Sequence, residues 1–345
     1  MPEDPSLAQL GEWDLIERLA AFAPAGQFSD DAAVIAPGGP VVVNTDVLVD
    51  GVHFSDATTD AVAAGWRTAA ANLSDLAAMG CTEVIGLTVG LVAPGHTPWS
   101  WVEGAYRGLL ACLQTHGGTL LGGDCSGGRQ RMLAVTALGR LALDGRGEAC
   151  AILRSAGRPG DVLVSSGPHG LSRLGLALLQ QELGPDLQAR IPAELSQRAR
   201  QCHTHPVPRL DVVGALHASR PLQRPWRVAG TDSSDGLAAA AAAIARESGC
   251  LALLDPDRLP LDPAMAWLPQ AAQWCLSGGE DFELVLALEK EWADALIGRL
   301  PGCRRIGQLT EGTGDELLVD WVASTAAETN RLPALDMGGG YRHFG

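Results

Sequence analysis

The chain has 345 residues, a formal net charge of −15 at pH 7 and a single lysine, Lys290. Domains usually contain roughly 100–200 residues, so this length predicts two domains, each with its own core. The acidic balance argues against nucleic acid as a partner, because binding a phosphate backbone needs clustered Lys and Arg. The residues before Lys290 are not glycine-rich, which excludes a Walker-type phosphate loop.

The first half of the sequence alternates helical patterns with short apolar strands. Its predicted elements are helix Trp13–Phe22, strand Val41–Val49, a helix from Asp60 to Gly80, strand Val84–Leu91, helix Pro98–His116, a short strand into Gly122 and Gly123, and strand Met132–Arg140. Asp60 is a suitable N-cap and Gly80 a suitable C-terminal glycine for the longest of these helices. The stretch 141–160 is rich in Gly and charge, so we expect a boundary there, with domains at 1–145 and 146–345.

The second half is expected to continue with layers of helix on sheet. Its predicted elements are strand Asp161–Ser165, a helix from Leu171, a polar helical region, the loop Gly230–Gly236, a helix to Ser248 and strand Phe282–Leu288.

The sequence also predicts the cellular location of the protein and the redox state of its cysteines, from features that it lacks. The first thirty residues lack the basic start and apolar run of a secretory signal, and no apolar stretch reaches the roughly 20 residues that cross a bilayer. The eight cysteines have no CxxC spacing, which predicts reduced thiols and no zinc site. We expect a cytoplasmic protein without a membrane partner.

Carboxylates stand at positions where they should be costly. Asn44, Thr45 and Asp46 interrupt an apolar strand, and buried polar groups need partners. Asn72 and Asp75 lie three residues apart, on one face of an alanine-rich helix. Further acids at element ends are Asp30, Asp31, Asp124, Asp232 and Asp235. Converging carboxylates would repel one another unless cations bound among them, and oxygen-only ligands favour Mg²⁺ that bridges substrate phosphates.

Each of these features also has an ordinary structural interpretation. Asp31 could cap a turn, Asp235 could be the N-cap of the following helix, and Asp75 could lie on a solvated helix face. The pairs Gly122-Gly123 and Gly278-Gly279 either form turns or let backbone N–H groups approach an anion. Arg154 and Arg209 are the arginines in the most suggestive settings for fixed positive charge, although exposed arginines are common. The residues alone leave these alternatives open.

In combination, the motifs resemble the thiamine-monophosphate kinase family, within the superfamily of aminoimidazole-ribotide-synthetase-like (PurM-like) ATP-binding enzymes. The matching segments are Ser29-Asp30-Asp31-Ala32-Ala33-Val34, Asn44-Thr45-Asp46, Gly51-Val52-His53-Phe54, the run from Asn72 to Gly80, Gly122-Gly123-Asp124, Asp232-Ser233-Ser234-Asp235-Gly236, the run from Ser277 to Leu284, and Gly340-Tyr341. They follow the order of the family over nearly the whole chain.

The resemblance implies an α+β fold with two domains: an N-terminal domain that binds ATP and Mg²⁺ and pairs through its sheet in a homodimer, and a C-terminal α/β domain, with ATP in the cleft between them. It implies phosphorylation of thiamine monophosphate by ATP to thiamine diphosphate, with several Mg²⁺ ions. Catalysis by direct in-line transfer needs no general base, because the acceptor phosphate is itself the nucleophile. We therefore assign no catalytic base.

The resemblance also implies roles for single residues. The Mg²⁺ ligands would be Asp30, Asn44, Thr45, Asp46, Asp75, Asp124, Asp232 and Asp235. ATP would contact Tyr106, Gly123, Asp124, Arg154 and Ser234. Thiamine monophosphate would contact His53, Glu280 and Tyr341.

Three departures from the family pattern affect substrate handling more than ATP handling. Ser29 replaces a glycine, Cys125 stands where threonine is common, and the segment 166–170 lacks an aspartate. Two alternative functions remain: another ATP-dependent enzyme of the same superfamily, and a regulatory paralogue that binds nucleotide without catalysis.

Overall fold

The computed structural model describes residues 4–25, 35, 37–222, 224–312, 317–322 and 335. Contacts divide the chain into two compact units, the first comprising Met1–Leu76 and Cys81–Ala142, the second Ala77–Gly80 and Leu143–Gly345. The main boundary therefore follows Ala142, close to the division expected after residue 145. Among the described residues, none of the helices combines the length and apolar character needed to span a membrane.

The first unit is a four-stranded sheet covered by helices. Its described elements are α1 (Leu7–Ala20), β1 (Val41–Val49), α2 (Ala61–Ala78), β2 (Cys81–Ala93), α3 (Trp99–His116), β3 (Thr119–Gly127) and β4 (Met132–Leu141). The strand order is β1-β4-β2-β3. β4 is antiparallel to both of its neighbours, whereas β2 and β3 are parallel.

Helices α2 and α3 lie so close together that glycine is required where they meet. A Cβ on Gly65 would lie 1.8 Å from the carbonyl oxygen of Ala105, and one on Gly108 would lie 1.8 Å from that of Val62. Asp60 starts α2 as predicted, because its Oδ1 accepts a 2.8 Å hydrogen bond from the N–H of Ala63. This backbone-to-backbone packing fixes the position of α2.

The second unit is built on a six-stranded sheet of order β10-β7-β9-β5-β8-β6. Its strands are β5 (Val162–Ser165), β6 (Ala229–Asp232), β7 (Cys250–Leu254), β8 (Leu284–Leu288), β9 (Arg304–Glu311) and β10 (Val319–Trp321). Its helices are α4 (Leu171–Leu179), α5 (Pro185–Arg190), α6 (Ala193–Thr204), α7 (Leu210–Ser219), α8 (Leu237–Ser248), α9 (Ala271–Ser277) and α10 (Lys290–Arg299). The core consists mainly of aliphatic side chains from the central strands and α8.

The structure confirms the α+β class and most predicted elements, with β1 at its predicted bounds. Helix α1 starts with a short turn that Ser6 and Gln9 cap, and a break at Gly11 (φ 74°, ψ 176°) separates this turn from the helix that the sequence predicted from Trp13. Two predictions were wrong in detail. Gly230 belongs to strand β6 and not to a loop. Phe282 precedes β8, because its φ of 52° is incompatible with a strand.

Candidate functional site

A polar cluster joins β1 to α2 in the first unit. The amide Nδ2 of Asn44 donates hydrogen bonds to Oδ2 of Asp75 at 2.9 Å and to Oδ1 of Asn72 at 3.2 Å. The helical spacing of Asn72 and Asp75 therefore does bring them to one place, as the sequence predicted. Because both contacts use the amide nitrogen, the amide oxygen of Asn44 remains available.

Asn72 is the scaffold of this cluster. Its side chain is fully buried, its Nδ2 donates to the carbonyl of Thr68 at 2.9 Å, and its Oδ1 also accepts from the backbone N–H of Asp46 at 3.3 Å. The sequence predicted that Asn72 would point at a ligand together with Asp75. The structure instead uses its amide to fix β1 against α2.

The chemistry of the cluster fits a divalent cation. Oδ1 of Asn44 is buried and has no hydrogen-bond partner among the described residues. Asp46 lies two residues along β1 on the same face, and burial raises the pKa of its carboxyl. A cation beside these oxygens would supply the missing partner and favour the charged form of Asp46. Across the part of the chain that the structure describes, no three His, Cys, Asp or Glu side chains form a metal-binding group.

Two of the predicted metal ligands lie elsewhere on the sheet. Thr45 is on the opposite face of β1, where its Oγ1 lies 2.8 Å from Oγ1 of Thr136. Asp124 is on β3, next to Gly123, which shares a cross-sheet row with Asp46 through β4 and β2. That row spans three strand spacings, about 14 Å. One chain alone therefore does not place Asp124 beside Asp46.

His53 lies in the turn after β1 and is held in a defined tautomer. Its Nδ1 accepts a 3.1 Å hydrogen bond from the N–H of Val49, which leaves the proton on Nε2. Arg67 also donates to the carbonyl oxygen of His53 at 3.3 Å. The ring is thus prepared to donate a hydrogen bond through Nε2.

The loop that carries His53 is braced by Arg131, a residue that no sequence motif singled out. Its guanidinium contacts Asp50 at 2.6 Å and Asp56 at 3.0 Å, and lies 4.7 Å from the centre of the Trp101 ring. No motif signals this role, because the partners come from distant parts of the chain.

Tyr106, a predicted ATP contact, is only 3% exposed, and its ring lies 5.5 Å from that of Phe22. Burial raises the pKa of its phenol, and burial likewise raises the pKa of the nearby Cys125 thiol to about 11. Both groups are therefore neutral at physiological pH.

In the second unit, the segment after β6 carries the predicted acids. Asp232 ends β6, and its Oδ1 accepts a 3.1 Å hydrogen bond from Oγ of Ser234. Oγ of Ser233 is buried and has no partner within the described ranges. The N-cap of α8 is Gly236, so the interpretation of Asp235 as the helix cap is wrong. Arg154 lies nearby, since its Nε donates to Oγ1 of Thr231 at 3.2 Å.

A second loop, residues 278–283, packs directly against this segment. The backbone N–H of Glu280 donates a 2.7 Å hydrogen bond to the carbonyl oxygen of Ser234. A Cβ on Gly236 would lie 2.8 Å from the carbonyl oxygen of Leu276. Glu280 has a φ of 56°, which is unusual for a residue with a side chain. The loop bearing a predicted substrate contact is therefore attached to the loop bearing a predicted ATP contact.

Two acids of this loop have structural partners. Asp281 accepts hydrogen bonds from the N–H groups of Gly170 at 2.7 Å and Ser172 at 3.0 Å, while burial raises its pKa to about 7. Glu283 is bound by Arg209 and by the hydroxyl of Ser166. Arg209 therefore braces this loop instead of offering free positive charge. Asp30 and Tyr341 lie outside the described residues.

Comparison with known proteins identifies the family. The AIR synthase related protein N-terminal domain matches residues 29–141, and the corresponding C-terminal domain matches residues 158–320. The chain is 45% identical over 308 residues to the thiamine-monophosphate kinase of Prochlorococcus marinus, a match that covers 89% of this chain and 90% of that protein.

Solved structures agree with this relationship. The thiamine-monophosphate kinase from Stenotrophomonas maltophilia K279a matches with a TM-score of 0.73 and 33% identity, over 89% of this chain and 95% of that one. AaThiL complexed with AMPPCP and TMP matches with a TM-score of 0.69 and 26% identity, over 91% of this chain and 94% of that one. The chain belongs to the thiamine-monophosphate kinase family of AIR synthase related proteins.

Proposed function

We propose that this protein transfers the γ-phosphoryl group of ATP to thiamine monophosphate, giving ADP and thiamine diphosphate. The observation that carries the proposal is the cluster in which Asn72 holds Asn44 beside Asp75, so that the candidate ligand atoms of Asn44 and Asp75 are oxygens, in a chain 45% identical to a thiamine-monophosphate kinase. Phosphoryl transfer depends chiefly on alignment and charge neutralisation, and such a cluster is suited to both.

Mg²⁺ is the cation that this chemistry favours. Its proposed ligands are Asp30, Asn44, Thr45, Asp46, Asp75, Asp124, Asp232 and Asp235. Bound Mg²⁺ would neutralise charge on the transferred phosphoryl group. Within the described part of the chain, Oδ1 of Asn44 and Oγ of Ser233 are buried without a hydrogen-bond partner, which supports one cation beside β1 and another beside the segment after β6.

The protein's own groups bind and orient the two substrates. We assign Tyr106, Gly123, Asp124, Arg154 and Ser234 to ATP, and His53, Glu280 and Tyr341 to the acceptor. His53 can donate through Nε2 to the acceptor phosphate, because Nδ1 is occupied by Val49. A phosphate monoester with a second pKa near 6 is largely dianionic at neutral pH, so its oxygen attacks without a general base.

We propose a homodimer that forms through the sheet of the first unit. Val43 and Val47 are 60% and 40% exposed on the face of β1 opposite Asp46, and β1 and β3 are the two edges of that sheet. Pairing two copies so that β3 of one meets β1 of the other would bring the strand that carries Asp124 next to the strand that carries Asn44 and Asp46. The predicted ligands lie on both edge strands of this sheet, with Asn44 and Asp46 on β1 and Asp124 on β3, and this distribution supports the arrangement. The dimer would act in the cytoplasm.

The test is a chromatographic assay of the purified chain with ATP, Mg²⁺ and thiamine monophosphate. We expect thiamine diphosphate and ADP to form in equal amounts. ADP with a product other than thiamine diphosphate, when other acceptors are supplied, would favour another enzyme of the superfamily. Tight ATP binding without any transfer would favour the regulatory paralogue.

A further inference from the structure

His203 is a buried histidine to which the motifs assign no role. It lies on α6 and is 2% exposed. Its Nδ1 lies 3.3 Å from Oγ of Ser172 and 3.5 Å from Oε2 of Glu280. The ring therefore meets the carboxylate of Glu280 from the protein interior.

The packing of α4 against α6 sets this contact. A Cβ on Gly175 would lie 2.1 Å from the carbonyl oxygen of Ala199 and 3.0 Å from Cβ of His203. Only glycine at this position lets α6 approach closely enough for His203 to reach Ser172 and Glu280. The contact is thus built into the backbone packing, unlike a surface ion pair, which adjusts freely.

Glu280 is the partner that can also reach solvent. Its side chain is 33% exposed, whereas that of His203 is 3% exposed. Its backbone is fixed by the hydrogen bond to Ser234 and by the positive φ. The main chain of Glu280 is fixed, and one carboxylate oxygen, Oε2, lies beside His203. The orientation of the whole carboxylate is therefore determined, including that of its other oxygen, Oε1.

We propose that His203 is a positioning residue for Glu280 in acceptor binding, a role that rests on the proposed function. A carboxylate repels a phosphate group, so Glu280 is unsuited to the phosphate end of thiamine monophosphate. It suits the other end, where the permanently cationic thiazolium and the amino group of the pyrimidine offer positive charge and an N–H donor. His203 determines the angle at which the carboxylate meets that end.

The test compares His203→Gln with His205→Gln, a control on the same polypeptide segment whose Nδ1 lies 3.0 Å from Oγ1 of Thr204. We expect His203→Gln to raise KM for thiamine monophosphate about tenfold, as for a lost polar contact with a charged group. KM for ATP should change less than twofold, and the control should leave both values unchanged. Equal changes in the two KM values, or none, would overturn the proposal.

A double-mutant cycle separates positioning from a general effect on folding. Glu280→Gln should raise KM for the acceptor, and adding His203→Gln to it should cause little further change, because the two residues act as a unit. If the double variant instead raised KM for the acceptor by the product of the two single effects, Glu280 and His203 would act independently and the proposal would be contradicted. Inactive wild-type protein would instead indicate failure of the proposed function.

The contact can also be measured without substrate. The ¹⁵N resonances of the His203 ring should shift in Glu280→Gln, because the ring then faces a neutral amide. Unchanged resonances would overturn the proposal even if the chain proved not to be a kinase or His203→Gln failed to fold.

Discussion

Gly279 approaches Ser234 so closely that a Cβ on Gly279 would lie 2.7 Å from the Ser234 carbonyl oxygen. That distance is shorter than any normal contact between a carbon and an oxygen. Gly279 therefore determines whether the loop bearing Glu280 can attach to the loop bearing Ser234. Its φ of 68° separately favours glycine.

Gly279→Ala should lower both stability and activity. Gly249 is a matched control, because its φ is 63° but no atom lies within 4 Å of the position that a Cβ would take there. Gly249→Ala should reduce the free energy of unfolding by about 1–2 kcal/mol through the left-handed conformation alone. Gly279→Ala should cost about 1–3 kcal/mol more, through the clash with Ser234. Urea unfolding measures both, and equal losses would contradict the close approach.

Asp46→Asn should reduce turnover by on the order of a hundredfold or more, as does loss of one stabilising group in comparable sites. The fold should remain intact, because the hydrogen bond to Asn72 uses the backbone N–H of Asp46 and not its side chain. Steady-state kinetics at saturating Mg²⁺ provide the measurement, with the exposed Asp186→Asn as control. Unchanged turnover would contradict the assignment of Asp46 as a Mg²⁺ ligand.

Two substitutions of His53 should separate its two ring nitrogens. Asn can accept from the N–H of Val49 in place of Nδ1 but lacks the Nε2 donor, whereas Ala lacks both. Both variants should raise KM for thiamine monophosphate and leave KM for ATP unchanged. Only His53→Ala should also lower the free energy of unfolding, by about 1 kcal/mol. A rise in KM for ATP of the same size would exclude the acceptor role.

A charge on the exposed sheet face should prevent dimer formation. The double substitution Val43→Glu with Val47→Glu places two carboxylates where apolar side chains are exposed, and their desolvation in an interface is costly. Sedimentation velocity should show a dimer for the wild type and a monomer for this variant. Val207→Glu, on a residue 52% exposed in the second unit, is the control. A variant that stays dimeric would place the interface elsewhere.

Asp281 should make stability fall as pH rises. The pKa of its carboxyl is raised from 3.8 to about 7 in the folded protein. The folded state therefore binds more protons than the unfolded state between about pH 4 and 7, and this group's contribution declines across that window. Asp281→Asn cannot titrate and accepts only one of the two N–H hydrogen bonds, so it should be less stable by about 1–3 kcal/mol at pH 5.

The deficit of Asp281→Asn should then shrink as the pH rises to about 7.5, because only the wild type loses stability at this position. Burial also raises the pKa of Glu283, so wild-type stability alone is not diagnostic and the comparison with the variant is needed. Urea unfolding at both pH values measures the difference. A deficit that grows with pH would contradict the raised pKa of Asp281.

The sequence predicted the local features of the site well. The polar triplet in β1 and the pair Asn72 and Asp75 could be found because each departs from an apolar or alanine-rich pattern within a single element. That Asp75 would meet Asn44 required only that α2 cover β1. Such patterns can be recognised from the sequence because each lies within a single strand or helix and does not depend on contacts with distant residues.

Features that depend on distant contacts could not be predicted. No motif signals the contact of Arg131 with Asp50 or that of His203 with Glu280, because these partners lie far away along the chain. The separation of Asp124 from Asp46 depends on the strand order, in which β4 inserts between β1 and β2. Strands β7, β9 and β10 were missed because they are short or lie in segments without clear alternation.

Strand β1 places Asn44 and Asp46 on one face and Val43 and Val47 on the other. Loss or gain of one residue before Asn44 would reverse every side chain that follows, since alternate residues face opposite sides. A single codon deletion would thus expose Asn44 and Asp46, bury the valines and disrupt the proposed cation site and the proposed subunit interface together. The length of this strand is therefore more tightly constrained than the identity of its residues.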